Sequence, residues 1–313
     1  MNFLYYTIYS YLKELIERVT TISVWNLVVA RFFFEICAHI KNLLLNNKKE
    51  IFQMSYDIND FSLDFFSLKG KTAIVTGGNS GLGQAFALAL AKAGANIFAA
   101  AYVDDDGTTQ KLIEGCGVSY KFMQCDISVK GEPKKVVEEC VKTFGKVDIL
   151  VNCAGICKLN DVLNFDRDDW DPMIAINLTG AFELSHECAK YMIPQKSGKI
   201  INICSLFSFL GGLGSPAYAA MKHGLAGLTK AYADELGKYN IQVNGIAPGY
   251  YATNITVATR SNPETNRKVL EHIPAERWGE RQDLMGATVF LASDASNYVN
   301  GTLLVVDGGY LVR

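Results

Sequence analysis

The stretch that decides the fold is Thr72-Ala-Ile-Val-Thr-Gly-Gly-Asn-Ser-Gly-Leu-Gly83. Its first five residues form a short apolar run stopped by glycines, the pattern of a strand buried on both faces. From Leu82 to Ala93 apolar residues return at helical spacing, and the helix ends at Gly94. A glycine turn between a buried strand and a helix lets the backbone approach a phosphate. The helix N-terminus then offers unpaired N–H groups and the positive end of its dipole. A plain glycine turn is the bland alternative. Its place at the end of a first strand favours phosphate binding.

The same alternation continues outward. Strands are expected at Asn96–Ala101, Val118–Cys125, Asp148–Asn152, Lys199–Cys204, Ile241–Ile246 and Leu303–Val306. Helices are expected at Glu132–Phe144, Ser215–Leu236 and Asp283–Leu291, with a long one from Arg167 to Met192, or two broken near Pro172. Apolar strands alternating with helices imply an α/β fold: one doubly wound domain, a seven-stranded parallel sheet with helices on both faces.

Composition narrows the function. The 313 residues carry a net charge of −2, with no basic excess to neutralise nucleic-acid phosphates. Eight cysteines and four histidines lie apart, without Cys-x-x-Cys spacing, so no metal site is expected. The thiols read as reduced and the compartment as cytoplasmic.

Residues 1–53 differ from the rest, holding no Gly, Pro or Asp and many aromatics. The uncharged stretches, residues 1–12 and 19–30, fall short of the roughly 20 apolar residues of a membrane span. The favoured reading is that the segment is not native protein and that translation starts at Met54, giving a domain over 54–313. The codons for Lys48-Lys49-Glu50 can contain a ribosome-binding sequence. An interfacial helix and a true span are the alternatives. The mass of the product made from the native gene separates them.

Tyr218-Ala-Ala-Met-Lys222 puts a phenol and an ammonium on one helix face. That spacing alone means little, since Tyr9 and Lys13 repeat it. Ser205 at the end of a strand and Asn177 in Asn177-Leu-Thr-Gly180 give it context. With Gly77-x3-Gly81-x-Gly83, Asn152-Cys-Ala-Gly155 and Pro248-Gly249, these residues resemble the short-chain dehydrogenase/reductase family over about residues 66–313.

The resemblance implies a hydride transfer between a nicotinamide dinucleotide and a secondary alcohol or ketone. Tyr218 would be the acid or base, Lys222 its electrostatic support, Ser205 a donor to the substrate oxygen, and Asn177 the holder of a water behind Lys222. It implies cofactor contacts from Gly77, Asn79, Ser80, Gly81, Leu82 and Gly83 in the first turn. Further contacts would come from Asp126 and Ile127 after the third strand, Asn152, Ala154 and Gly155 after the fourth, Tyr218 and Lys222, and Pro248, Gly249, Tyr251 and Thr253. A homotetramer is implied likewise. An idle NAD-binding sensor or scaffold is the reading from another class, and the complete set of four residues speaks against it.

Charge selects the cofactor. No Lys or Arg occurs between Lys92 and Lys111, and Asp104, Asp105 and Asp106 would repel a 2′-phosphate, so NAD is expected over NADP. The chemistry is demanding: lowering a phenol by roughly three pKa units takes about 4 kcal/mol of differential stabilisation. A nearby ammonium and the oxidised nicotinamide would supply it.

The C-terminal third, including Ile273-Pro-Ala-Glu-Arg-Trp-Gly279 and Val306-Asp-Gly-Gly309, resembles a branch of that family acting on sugar acids of the deoxygluconate type. Gluconate or polyol oxidation by the same residues is the runner-up. The chain has Cys157 and Lys158 where that branch carries two arginines. Lys158, Arg260, Arg267 and Arg277 are candidate partners for a sugar carboxylate, each read first as a solvated or structural charge. Residues Ala252 to Ile273 are polar, lack glycine and suit a lid. Cys153 and Cys204 read as small buried residues without chemistry.

Overall fold

Along strand β1 (Thr72–Thr76) all five residues are buried. Ala73 and Val75 enter one hydrophobic cluster with Phe86, Ile97 and Leu291, while Ile74 enters another with Phe98, Val137, Leu184 and Ile200. A strand sends alternate side chains to opposite faces, so a run with both faces covered must be apolar throughout. The computed structural model describes residues 58–212 and 214–313. Contacts divide the chain into residues 1–62, of which Ile58–Asp60 form a 3-10 turn, and Leu63–Arg313. The expectations for residues 1–53 lie outside the described residues.

In the second unit the remaining strands are β2 (Asn96–Ala101), β3 (Tyr120–Gln124), β4 (Ile149–Asn152), β5 (Gly198–Ile203), β6 (Ile241–Pro248) and β7 (Leu303–Val306). The helices are α1 (Gly81–Lys92), α2 (Thr108–Glu114), α3 (Glu132–Phe144), α4 (Arg167–Ile174), α5 (Ala181–Gln195), α6 (Pro216–Leu236), α7 (Val257–Ser261), α8 (Pro263–His272) and α9 (Met285–Ala292). All seven strands are parallel, in the order β3-β2-β1-β4-β5-β6-β7. This is a doubly wound, Rossmann-type sheet. Strand order reverses between β1 and β4, so a crevice opens at their carboxyl ends.

Local signals explain the helix limits. α3 begins behind Gly131, has Pro133 in its first turn and stops at Gly145 in the left-handed region, φ 80°. α4 starts at Asp166, whose side chain accepts from the Asp169 N–H. The expected break near Pro172 does not occur. Proline removes the bond to the Asp168 carbonyl, and Lys158 Nζ reaches that oxygen at 3.4 Å instead. The interruption falls later, as a π-helical turn over Ala175–Gly180. The Asp283–Leu291 helix begins with a 3-10 turn, Arg281–Leu284, that leads into α9.

Candidate active site

The first glycine turn is shaped for close approach. Gly77 (φ +64°) and Gly81 (φ +54°) hold left-handed conformations, and a Cβ on Gly83 would stand 2.0 Å from the Gly77 carbonyl oxygen. A Cβ on Gly81 would meet nothing within 4 Å, so the turn is open there. Ser80 makes no side-chain cap on α1, which leaves the N–H groups around Leu82 facing the opening. This cradle fits a pyrophosphate. Asn79 differs from expectation: its amide donates to the Val103 and Asp104 carbonyls (2.7 and 3.3 Å) and braces the loop after β2. In that acidic rim the Tyr120 hydroxyl donates to Asp105 (2.9 Å), whose other oxygen is buried without a partner among the described residues.

The turn after β4 packs against the first. The Thr76 hydroxyl accepts from the N–H groups of both Cys153 and Ala154, each at 2.9 Å. A Cβ on Gly77 would lie 3.4 Å from the Ala154 Cα. Asn152 was expected to touch cofactor, but its amide points into the core. It donates to Asn202 (2.8 Å), Ser185 (3.0 Å) and the Ala181 carbonyl (3.4 Å), joining β4 to β5 and α5. After β3, Asp126 accepts from the Ser128 N–H and hydroxyl. Ile127 packs where a Cβ on Gly180 would fall.

The four candidate catalytic residues arrive from three elements. Ser205 follows β5 and accepts from the Phe207 N–H at 3.2 Å. Tyr218 and Lys222 stand one turn apart on α6. Lys222 Nζ lies 5.4 Å from the Tyr218 ring centroid and donates to the Ile203 carbonyl at 2.6 Å. Burial raises the Tyr218 phenol well above its ordinary value; Cys157 adds to the rise, while a hydrogen bond from Ser205 opposes it. The expected lowering of the phenol draws on the positive charge of an oxidised nicotinamide as well as on the ammonium, and burial pushes the other way. Burial also lowers Lys222, which has no carboxylate partner among the described residues.

Asn177 sits in the π-turn, buried, and its side chain is spent. It accepts from the Ile156 N–H (3.0 Å), donates to the Ile156 carbonyl (2.9 Å) and contacts Met221 Sδ (2.7 Å). A Cβ on Gly155 would come within 2.3 Å of its oxygen. The side chain is therefore a strut between the β4 turn and α6. The resemblance implies a water behind Lys222 held by Asn177; in the structure the polar atoms of this side chain are bonded to Ile156 and Met221.

Beyond β6, Gly249 packs on Asp307, where a Cβ would stand 2.7 Å from the Cα. Tyr251 was expected at the cofactor. Its ring is buried against Gly279 and its hydroxyl donates to the Val306 carbonyl at 3.0 Å, so the side chain is committed to the core. Thr253 leads into the segment expected to serve as a lid, which is helical over α7 and α8 with no buried residue in either. Trp278 Nε1 donates to Asn266 (2.7 Å), and the Tyr310 ring packs at a tilt of 49° against His272 (4.2 Å between centroids), holding α8 in place.

Three of the four candidate cations are neutralised: Lys158 by Asp169 (2.8 Å), Arg267 by Glu271 (2.6 Å) and Arg277 by Asp283 (2.7 Å). Arg260 instead donates to the Thr253 carbonyl (3.0 Å) and the Thr256 hydroxyl (3.3 Å). Sequence reasoning missed Thr76, Ser185, Asn202 and Met221, which brace the site. The signal for Thr76, Asn202 and Met221 is positional only, each lying within three residues of a residue singled out, and Ser185 has none.

A family model described as Enoyl-(Acyl carrier protein) reductase matches residues 77–311. The chain is 75% identical over 256 residues to an uncharacterized oxidoreductase, YgcW, of Escherichia coli strain K12, a match covering 82% of this chain and 98% of that protein. It is 45% identical over 253 residues to the 2-dehydro-3-deoxy-D-gluconate 5-dehydrogenase of the same strain, covering 80% and 99%. A solved gluconate 5-dehydrogenase from Burkholderia cenocepacia J2315, in complex with NADP and tartrate, superposes with a TM-score of 0.77 at 36% identity, covering 81% of this chain and all (100%) of that one.

Proposed function

The chain belongs to the short-chain dehydrogenase/reductase family, and from that premise we propose that it interconverts a secondary alcohol and a ketone on a sugar acid, with NAD as cofactor. It is an oxidoreductase that uses a nicotinamide cofactor. The proposed substrates are of the 2-deoxy-D-gluconate or 2-dehydro-3-deoxy-D-gluconate type, supported by the relatives' activities. The observation that carries the reading is the meeting of the Tyr218 phenol with the Ser205 hydroxyl and the Lys222 ammonium.

The residues Gly77 to Gly83, Ala154, Gly155, Pro248, Gly249 and Thr253 would hold the cofactor, mainly through backbone. When bound, it accepts or supplies the hydride. Tyr218 then takes the alcohol proton in oxidation or gives one to the carbonyl oxygen in reduction. Its raised pKa keeps it protonated, which suits reduction; oxidation needs Lys222 and Ser205 to favour phenolate. Ser205 orients the substrate oxygen by donating to it.

NAD is favoured by the acidic rim, where Asp104, Asp105 and Asp106 follow β2 and no Lys or Arg occurs between Lys92 and Lys111. The Burkholderia relative was solved with NADP, so kcat/KM with each cofactor is the test; equal values, or a preference for NADP, refute the charge argument. A cytoplasmic homotetramer belongs to the same proposal, checked by sedimentation of the full chain. Among the described residues no helix is long and apolar enough to cross a membrane.

The assay is NADH formation with 2-deoxygluconate, gluconate and polyols. Tyr218→Phe should lower turnover by about 10²–10⁴-fold and leave NAD binding intact. Substantial retained turnover refutes the role of Tyr218. Gluconate or polyol turnover alone favours the related dehydrogenase, and silence on all substrates favours the idle binding protein.

A further inference from the structure

We propose that Arg260 binds the substrate's carboxylate, an inference that rests on the sugar-acid reading of this same site. A carboxylate needs a cation that is fixed, partly desolvated and not already neutralised. Lys158, Arg267 and Arg277 fail the last condition, each held by an acidic side chain within 3 Å. Exposed pairs of that kind gain little by exchanging one carboxylate for another.

Arg260 meets all three conditions. It is half-buried on α7, and no carboxylate pairs with it among the described residues. Its Nη2 and Nε donate to two neutral oxygens, the Thr253 carbonyl and the Thr256 hydroxyl. Two of five N–H donors are thereby used, so Nη1 and one hydrogen of Nη2 remain for a bidentate grip. The anchor is firm because the Thr256 hydroxyl donates in turn to the Tyr251 carbonyl at 2.7 Å, and Tyr251 is buried against β7. The guanidinium is thus tied to the carboxyl end of β6, the neighbour of strand β5 that leads to Ser205, while α7 and α8 bury none of their residues. A carboxylate held there would draw α7 onto the substrate.

The test compares 2-deoxy-D-gluconate with its uncharged amide, using the full chain and NAD. Arg260→Gln should raise KM for the acid about tenfold or more, a loss of about 1.4 kcal/mol, with kcat and the KM for NAD little changed. With the amide, variant and parent should agree. Arg260→Lys keeps the charge and loses the fork, so it should fall between the two. If the Gln variant does not fold, a rise in KM for the acid but not the amide in the Lys variant decides. An unchanged KM for the acid in either folded variant overturns the assignment while leaving the proposed function standing. A parent enzyme that oxidises neutral polyols and no sugar acid overturns the sugar-acid reading itself.

Discussion

Strand β5 has a buried lysine at each end, and the two are used differently. Lys199 is the second residue of the strand, 7% exposed; Lys222 reaches its last carbonyl from α6 and is 6% exposed. Both have neutral hydrogen-bond partners and both are lowered by burial, Lys199 to about 8. Lys199 donates to Asn297 (2.8 Å) and Ser296 (3.3 Å) beside a cavity of about 40 Å³, room for about one water. Lys222 makes a single hydrogen bond and keeps its other donors beside the Tyr218 ring. A parallel sheet directs its loops, glycine turns and helix N-termini to the carboxyl ends of its strands. The same buried ammonium is therefore a structural plug at one end of β5 and an unspent charge at the other.

Three substitutions sharpen or break this contrast. Lys222→Met should have the largest effect, lowering kcat/KM for alcohol oxidation by about 10²-fold or more, because the phenol loses its neighbouring ammonium and only the Ser205 hydrogen bond still opposes burial. Activity within a few-fold of the parent would erase the distinction between the two lysines. Ser205→Ala removes the hydrogen bond that lowers the Tyr218 phenol. The rising limb of the oxidation pH profile should then move to higher pH, as well as losing height; a limb that stays or moves down contradicts the assignment. Lys199→Met should change turnover least.

Its effect belongs to stability. The folded pKa of Lys199 lies below the ordinary lysine value of 10.5, so between about pH 8 and 10.5 the unfolded chain binds more protons and stability rises with pH. Below about pH 8 burying this ammonium opposes folding. The Met variant should lose that slope, read as urea midpoints at pH 7.5 and 9.5. A slope equal to the parent's would show that Lys199 does not carry it.

Much of the fold is written in periodicity. β1, β2, α3 and β7 fall on the residues expected, because their apolar runs and bounding glycines carry complete signals. α2 and α8 were not anticipated. α8 buries none of its residues, so no apolar stripe marks it, and Trp278 and Tyr310 hold it from outside. At Pro172 the sequence pointed to a break, yet Lys158, distant in sequence, takes up the freed carbonyl. Tyr218, Lys222 and Ser205 were legible because their chemistry constrains both residue type and spacing. Asn152, Asn79 and Tyr251 match family positions, but which way a side chain turns depends on packing, and all three turn toward protein. Residues such as Met221 carry no pattern of their own.

The Thr76 hydroxyl leaves one more consequence. It accepts from two consecutive N–H groups of the β4 turn while its own proton points at the Val151 carbonyl, 3.4 Å away. Every bonding direction of that oxygen is occupied, and β-branching restricts its rotation. The two lips of the crevice are thus riveted at a fixed gap by a single atom, and the enzyme's grip on a dinucleotide is gauged before any ligand arrives.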